Sequence, residues 1–268
     1  MNVCDIDFAE RYREHMRRQN RTAKPPEHWD ARAAKLGRGA FDSAYVQAFL
    51  ARMNLDGCAT LLDVGCGPGT IALSAAPRLE HVYGLDYSAG MLAAFADNAR
   101  ARGLTGVTPI LLGWDDDWAA VPVCDIVVAS RSTAVPDLEA AVLKLQSKAR
   151  VRVYLTYPAD GHFVPADIRK AIGRAGFALP DYLCVVGVLH QLGLKPTLDY
   201  LPAENRFASC TDFDDFEKKV GQSVGPLSSE ESRRLRAYYD AKGDRLAEEP
   251  TRWALFAWDI REMETNDD

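Results

Sequence analysis

The chain has 268 residues, with 32 Lys plus Arg against 38 Asp plus Glu, a formal net charge of −6, 47% hydrophobic residues and 26% charged residues. That composition excludes a disordered or collagen-like chain and fits one large globular domain or a domain with an appendage. The acidic balance argues against a protein that wraps nucleic acid by charge, the N-terminus is polar with no apolar run of signal-peptide length, and no membrane span is expected.

Residues 1–56 read as helical. Phe8, Tyr12 and Met16 recur at spacings of four, and Pro25-Pro26 breaks that element. A second helix is expected over residues 41–53, with Phe41, Tyr45, Phe49 and Leu50 on one stripe. The chain then alternates. Short apolar runs at Thr60–Val64, His81–Asp86, Val107–Leu112, 123–129 and Arg150–Tyr157 predict strands, with helices over 69–78, Ser88–Arg102 and 137–148 between them. Further on, helices are expected at Pro165–Gly173, Tyr182–Gly193, Phe213–Val220 and Ser228–Gly243. Strands are expected at Thr197–Leu201 and Arg252–Ile260. Ser228 followed by Glu231 fits a capping box. Strands alternating with helices predict an α/β fold with a parallel sheet covered on both faces and doubly wound.

Cys4, Cys58, Cys66, Cys124, Cys184 and Cys210 lie far apart, with no CxxC pair. A disulfide framework or structural zinc site is therefore not expected, no metal is called for, and a reducing cytoplasm is the expected location.

The informative run is Leu61-Leu62-Asp63-Val64-Gly65-Cys66-Gly67-Pro68-Gly69-Thr70, a strand entering Gly-x-Gly-x-Gly before a helix. Glycines there let bare backbone approach a ligand. The spacing departs from GxGxxG, and no Lys-Ser or Lys-Thr follows, so a pyrophosphate or ATP phosphate fits poorly. Asp63 would repel phosphate but attract an amine-bearing ligand. Asp86, at the end of the next strand, sits where a carboxylate accepts ribose hydroxyls.

DVGCGPGT and VYGLDYSAGML resemble the first two motifs of the class I S-adenosylmethionine-dependent methyltransferases. The resemblance covers about residues 57–157. It implies a Rossmann-like, mostly parallel seven-stranded sheet with an antiparallel final strand, N-terminal helices and a helical insertion before the last strand. It implies that Gly65, Gly67 and Gly69 pass the methionine part of the cofactor, with Cys66 inside the loop. Asp63 would lie near the amino end, and Asp86 would bind the ribose diol. Tyr87 and Met91 match positions lining the adenine or ribose, and Gly113, Trp114 and Asp115 the adenine segment. Ser130 would leave the fourth strand facing cofactor and substrate. Trp114 reads equally as a core aromatic, and Cys66 as a small filler.

Substrate contacts are expected from Trp29, Arg32, Arg131, Tyr154 and Tyr182, and bases or proton handlers from His162, His190 and Tyr157. The family's Asn/Asp-Pro-Pro-Tyr/Phe motif of adenine and amide methylation is replaced here by Ala129-Ser130-Arg131-Ser132. The leading expectation is methyl transfer from S-adenosyl-L-methionine, leaving S-adenosyl-L-homocysteine, to a small molecule by in-line displacement, with neither nucleic acid nor membrane as partner and a monomer or homodimer as the assembly. An RNA or protein methyltransferase and a catalytically silent cofactor-binding regulator remain as alternatives. The expected division is a helical lid over 1–56, a cofactor core over 57–160, sheet elements with a substrate cap over 161–250, a final strand over 251–262 and a frayed tail over 263–268.

Overall fold

β1 (Thr60–Val64) runs through a seven-stranded sheet ordered β3-β2-β1-β4-β5-β7-β6. The computed structural model describes residues 5–19, 24–33, 38–159, 161, 164–174, 179–202, 207, 209–242 and 252–260. β2 (His81–Asp86), β3 (Val107–Leu111), β4 (Cys124–Ala129) and β5 (Ala149–Pro158) join β1 in one parallel set. β7 (Arg252–Asp259) lies antiparallel between β5 and β6 (Thr197–Pro202). β1 and β4 are covered on both faces, which is why they read as near-continuous apolar runs rather than alternating ones. The strand order turns back at β1, so a crevice opens beyond the carboxyl ends of β1 and β4.

Side-chain alternation divides the core. Leu62 and Val64 face α1 (Phe8–Arg18), α6 (Leu138–Ser147) and α8 (Tyr182–Gln191). Leu61 faces α3 (Ala44–Leu50), α4 (Ala72–Ala75) and α5 (Ala89–Ala101). Asp7 caps α1 by accepting the Glu10 N–H at 2.8 Å, and the helix buries Ala9, Tyr12 and Met16, the stripe its sequence spacing presents. The Tyr12 hydroxyl donates to Val135 O at 3.0 Å, and Arg13 pairs with Asp137 and Glu139, fastening α1 beside α6.

Two helices differ from expectation. α4 is short and continues as a 3-10 turn over Ala76–Arg78, because Pro77 has no N–H to extend an α ladder. The Pro25-Pro26 pair does not only separate helices. Pro26 begins α2 (Pro26–Ala33), at the position where a missing N–H costs nothing.

The late helices form a core of their own. α7 (Ala166–Ala171), α9 (Phe213–Val224) and α10 (Ser229–Lys242) bury Val164, Ile168, Phe216, Val220 and Leu235 together. Ser228 and Glu231 make the expected capping box: the Ser228 N–H donates to Glu231 at 2.8 Å, and the Glu231 N–H to Ser228 Oγ at 3.3 Å. Arg174 joins the three helices, donating to Glu231 at 2.6 Å and to Val224 O at 2.6 Å. No helix among the described residues is long and apolar enough to cross a membrane.

Arg174, then the Ser228 N–H, holds the Glu231 carboxyl down to about 2. A depressed carboxylate supports folding above its unfolded pKa and loses that support as pH falls through its folded value. Glu231→Ala is expected to lower the melting temperature at neutral pH by roughly 2–4 °C. The gap from wild type should close in melts carried from about pH 4.5 toward about pH 2.

Candidate active site

The glycine loop is held by β2. The Gly65 and Cys66 N–H groups both donate to Leu85 O, at 2.7 and 3.0 Å, and the Gly67 N–H donates to Asp86 Oδ2 at 2.9 Å. Gly65 and Gly69 have φ of +69° and +88°. A Cβ on Gly65 would stand 2.4 Å from Ser132 Cβ, and one on Gly69 would stand 2.6 Å from the Phe95 ring. Glycine is thus required there by both backbone and space. Cys66 is buried, and its thiol is pushed well up by burial and then by Asp63, so it acts as a neutral filler.

Asp86 is the hinge of the site. Its other oxygen accepts the Ser88 N–H at 2.9 Å. Ser88 in turn caps α5, accepting the Met91 N–H at 3.0 Å, and donates to Asp30 at 2.6 Å. Asp30 also accepts the Gly90 N–H at 2.8 Å, which fastens α2 across the start of α5. The Tyr87 hydroxyl donates to Lys24 O at 2.9 Å, adding a second tie to the same segment.

Asp63 ends up 2% exposed. One carboxylate oxygen takes the Ala72 N–H at 3.3 Å, while Oδ1 has no hydrogen-bond partner. Burial, reinforced by the Asp86 charge, pushes its pKa up to about 7. The protein therefore keeps a buried, half-satisfied carboxyl at the floor of the loop.

Beyond β4, the Tyr45 hydroxyl reaches Ser130 Oγ at 2.7 Å and Thr156 Oγ1 at 3.0 Å. The Arg131 N–H donates to the same Thr156 oxygen at 2.8 Å. Ser132 Oγ donates to Val64 O at 2.6 Å, and Trp114 Nε1 donates to Ser132 O at 3.1 Å, so the exits of β1, β3 and β4 are tied together.

The methyltransferase domain family matches residues 61–150. An uncharacterized protein of Haemophilus influenzae is 37% identical over 97% of this chain and 99% of its own length. Nocamycin O-methyltransferase of Saccharothrix syringae is 40% identical over 106 residues, 37% of each chain. The solved structure of coclaurine N-methyltransferase with N-methylheliamine and S-adenosylhomocysteine shares the fold at a TM-score of 0.52, with 12% identity over 96% of both chains. This chain belongs to the class I S-adenosylmethionine-dependent methyltransferases.

The methyltransferase's residues fit S-adenosyl-L-methionine. The orphaned Asp63 oxygen lacks the positive, hydrogen-bonding partner that an amino-acid ammonium supplies. Asp86 is held by two backbone N–H groups and keeps acceptor capacity for a diol. The glycine turn keeps side chains out of the approach.

Of the residues singled out from sequence, Asp63, Gly65, Cys66, Gly67, Gly69, Asp86, Tyr87 and Met91 converge on the two β-strand exits. Asp115 is exposed, while its neighbour Asp116 accepts the Gly113 N–H at 2.7 Å. Trp114 stacks on Trp118 at 5.5 Å as well as reaching Ser132, so it serves core and site together. Trp29 and Arg32 lie on α2, above Ser88 and Gly90.

Other candidates are spent elsewhere. Tyr154 is buried on the same face as Tyr45 and Thr156 but further from the strand exit, its hydroxyl accepting the Asn54 N–H at 2.8 Å. Tyr157 is fully buried, 6.3 Å from the Tyr12 ring within the α1–α6 core. Tyr182 accepts the Tyr200 hydroxyl at 2.7 Å beside the edge strand β6. His190 is exposed in the last turn of α8, which leads back to the amino end of β6 and away from the loop. His162 lies outside the described residues. Tyr45, Thr156 and Ser88 were not expected in these roles. Thr156, a polar residue inside a buried strand, is the one with a visible sequence signal. Among the described residues no group of three or more His, Cys, Asp or Glu is placed to hold a metal ion.

A raised carboxyl penalises folding as pH rises from its unfolded value of 3.8 through about 7, and a cationic ligand favours its ionised form. S-adenosylhomocysteine affinity is therefore expected to rise from about pH 5.5 to about pH 7.5 and then level. Asp63→Asn should flatten that profile in calorimetry and weaken binding at neutral pH by about tenfold or more, while the free protein melts no lower than wild type. Gly65→Ala is expected to cost about 2 kcal/mol or more, from overpacking and a positive φ. Gly67→Ala, whose Cβ would meet only Met91 Sδ at 3.8 Å, should cost about 1–2 kcal/mol in denaturant melts.

Proposed function

We propose that this methyltransferase transfers a methyl group to a small molecule held between the carboxyl edge of the sheet and its helical cover. The observation that carries this is the position of the late helical core. β5 leaves toward it at Pro158 and β6 at Pro202, and β7 returns from it at Arg252. These three positions lie together at the carboxyl edge, where Pro158 pairs with Trp253 and Pro202 with Arg252. A unit with its own apolar core, entered from β5 and β6 and left for β7 at that edge, suits a cap over an enclosed acceptor. α2 supplies cover from the other side through Asp30.

In this reading residues 1–56 form a lid, 57–160 the cofactor core, 161–250 the remaining sheet elements and cap, 251–262 the last strand and 263–268 a tail. The five described cysteines are free thiols, which suits a cytoplasmic enzyme.

The bound cofactor supplies a methyl carbon already activated by its sulfonium. The chain then has to align an acceptor with that carbon, exclude water and, for an acidic nucleophile, accept a proton. Asp63 and Asp86 orient the cofactor from below. Tyr45, Ser130 and Arg131 stand at the β4 exit, where an acceptor enters. Alignment is the main task in this reading, since His190 lies away from that exit and the Tyr157 ring is packed against Tyr12 in the α1–α6 core.

The test incubates the enzyme and methyl-labelled cofactor separately with a metabolite extract, total RNA and a protein extract. Label is expected in the small-molecule fraction. Label confined to RNA or protein would replace this reading. Tight binding of S-adenosylhomocysteine with no transfer to any fraction would point instead to a silent cofactor-binding protein.

A further inference from the structure

Arg131 leaves β4 with φ +60°, the one positive φ outside glycine among the described residues. A side chain with a Cβ disfavours that conformation, so contacts must hold it. Its N–H donates to Thr156 Oγ1 at 2.8 Å, and its guanidinium carbon lies 4.4 Å from the centre of the Tyr45 ring. Tyr45 is itself pinned by Ser130 and Thr156. Strain kept in place by a surrounding network is a mark of positions shaped for a ligand.

A second guanidinium stands close by. Arg32, on α2, lies 5.8 Å from the Trp29 ring, and Asp30 next to Trp29 fixes α2 to Ser88 and Gly90. Arg32 is exposed, but crowding by its neighbours, and after it the positive charge of Arg131, pulls its pKa below its ordinary value. Among the described residues neither guanidinium has a carboxylate at ion-pair distance. Asp63 acts on Arg131 through space but is fully buried and stays largely protonated below about pH 7. Two like charges from separate elements thus face the same region, both exposed, where an incoming anion can meet them.

The cofactor's amino-acid end carries one carboxylate, enough to offset one guanidinium. A second positive charge remains. Resting on the small-molecule reading above, we propose that Arg131 is a specificity-determining residue that binds a carboxylate or phosphate group on the methyl acceptor. The planar guanidinium fork pairs with either group through two parallel hydrogen bonds, and the β4 exit sets it beside the Tyr45 and Ser130 hydroxyls.

The test saturates the enzyme with S-adenosylhomocysteine and titrates benzoate, phenyl phosphate and neutral benzyl alcohol by calorimetry. The wild-type complex is expected to bind at least one of the anions and not the alcohol, and the preferred anion separates the carboxylate from the phosphate source. Arg131→Gly keeps the N–H to Thr156 and relieves the positive φ, so it should melt at or above wild type. It is expected to weaken the anion by about tenfold or more while changing S-adenosylhomocysteine affinity by less than about threefold. Arg131→Lys, with charge but no fork, should fall between. The proposal is overturned if the wild-type complex binds no anion or binds the alcohol equally. It is also overturned if Arg131→Gly loses S-adenosylhomocysteine as strongly as the anion, which would assign the residue to the cofactor. Failure of S-adenosylhomocysteine to bind wild type would remove the small-molecule reading as well, whereas loss of the anion result alone leaves that reading standing.

Discussion

One carboxylate spans the two turns on which the site is built. Asp86 takes the Gly67 N–H on one oxygen and the Ser88 N–H on the other, joining the loop after β1 to the cap of α5. Each partner imposes a further requirement. The loop must turn close to β2, which demands glycine where Ser132, Phe95 and Leu73 crowd the backbone. Ser88, held by the same acid, both caps α5 and receives α2 through Asp30. The cofactor floor and the N-terminal cover are therefore not independent features.

Burying acids in this way has an electrostatic consequence. Asp63 and Asp86 are both raised, chiefly by burial, and each adds to a negative field at the floor. Asp86 has backbone donors on both oxygens, whereas Asp63 is left with one oxygen unmet. The rim carries the opposite sign, in Arg32 and Arg131. Negative floor and positive rim together suit a ligand that is cationic at one place and anionic at another, as an amino acid is. The free protein holds the buried acids at a cost to its own stability, and apolar packing in the two cores on either side of the sheet offsets it.

The cap shows how topology can suggest purpose where no motif does. Residues Phe213–Val224 and Ser229–Lys242 have no chemical signature, and their sequences read only as amphipathic helices. Their meaning comes from β5, β6 and β7, whose register brings Pro158, Pro202 and Arg252 to one edge. An insertion elsewhere in the chain would have had the same helices and no relation to the crevice.

The sequence by itself determined the elements of local origin. Strands of β-branched and aliphatic residues, a glycine triplet with an acid before it, Asp86 at the next strand end and the Ser228–Glu231 cap all depend on neighbours a few residues apart. Those features were enough for the fold class and, through their resemblance to the methyltransferase motifs, for the cofactor. Tertiary structure alone decided which polar side chains meet across the chain. Tyr45 looked like one more apolar stripe residue, yet its hydroxyl joins Ser130 and Thr156, separated from it by 85 and 111 positions. Tyr154 and Tyr157, three apart on one strand, went to opposite faces and into packing, because strand side chains alternate. His190 points out because α8 turns Val185, Val188 and Leu189 toward the core and leaves it on the uncovered side of the last turn. Helical or strand periodicity tells which side chains are covered, but a hydroxyl or guanidinium gains its role only from the partner that folding brings to it.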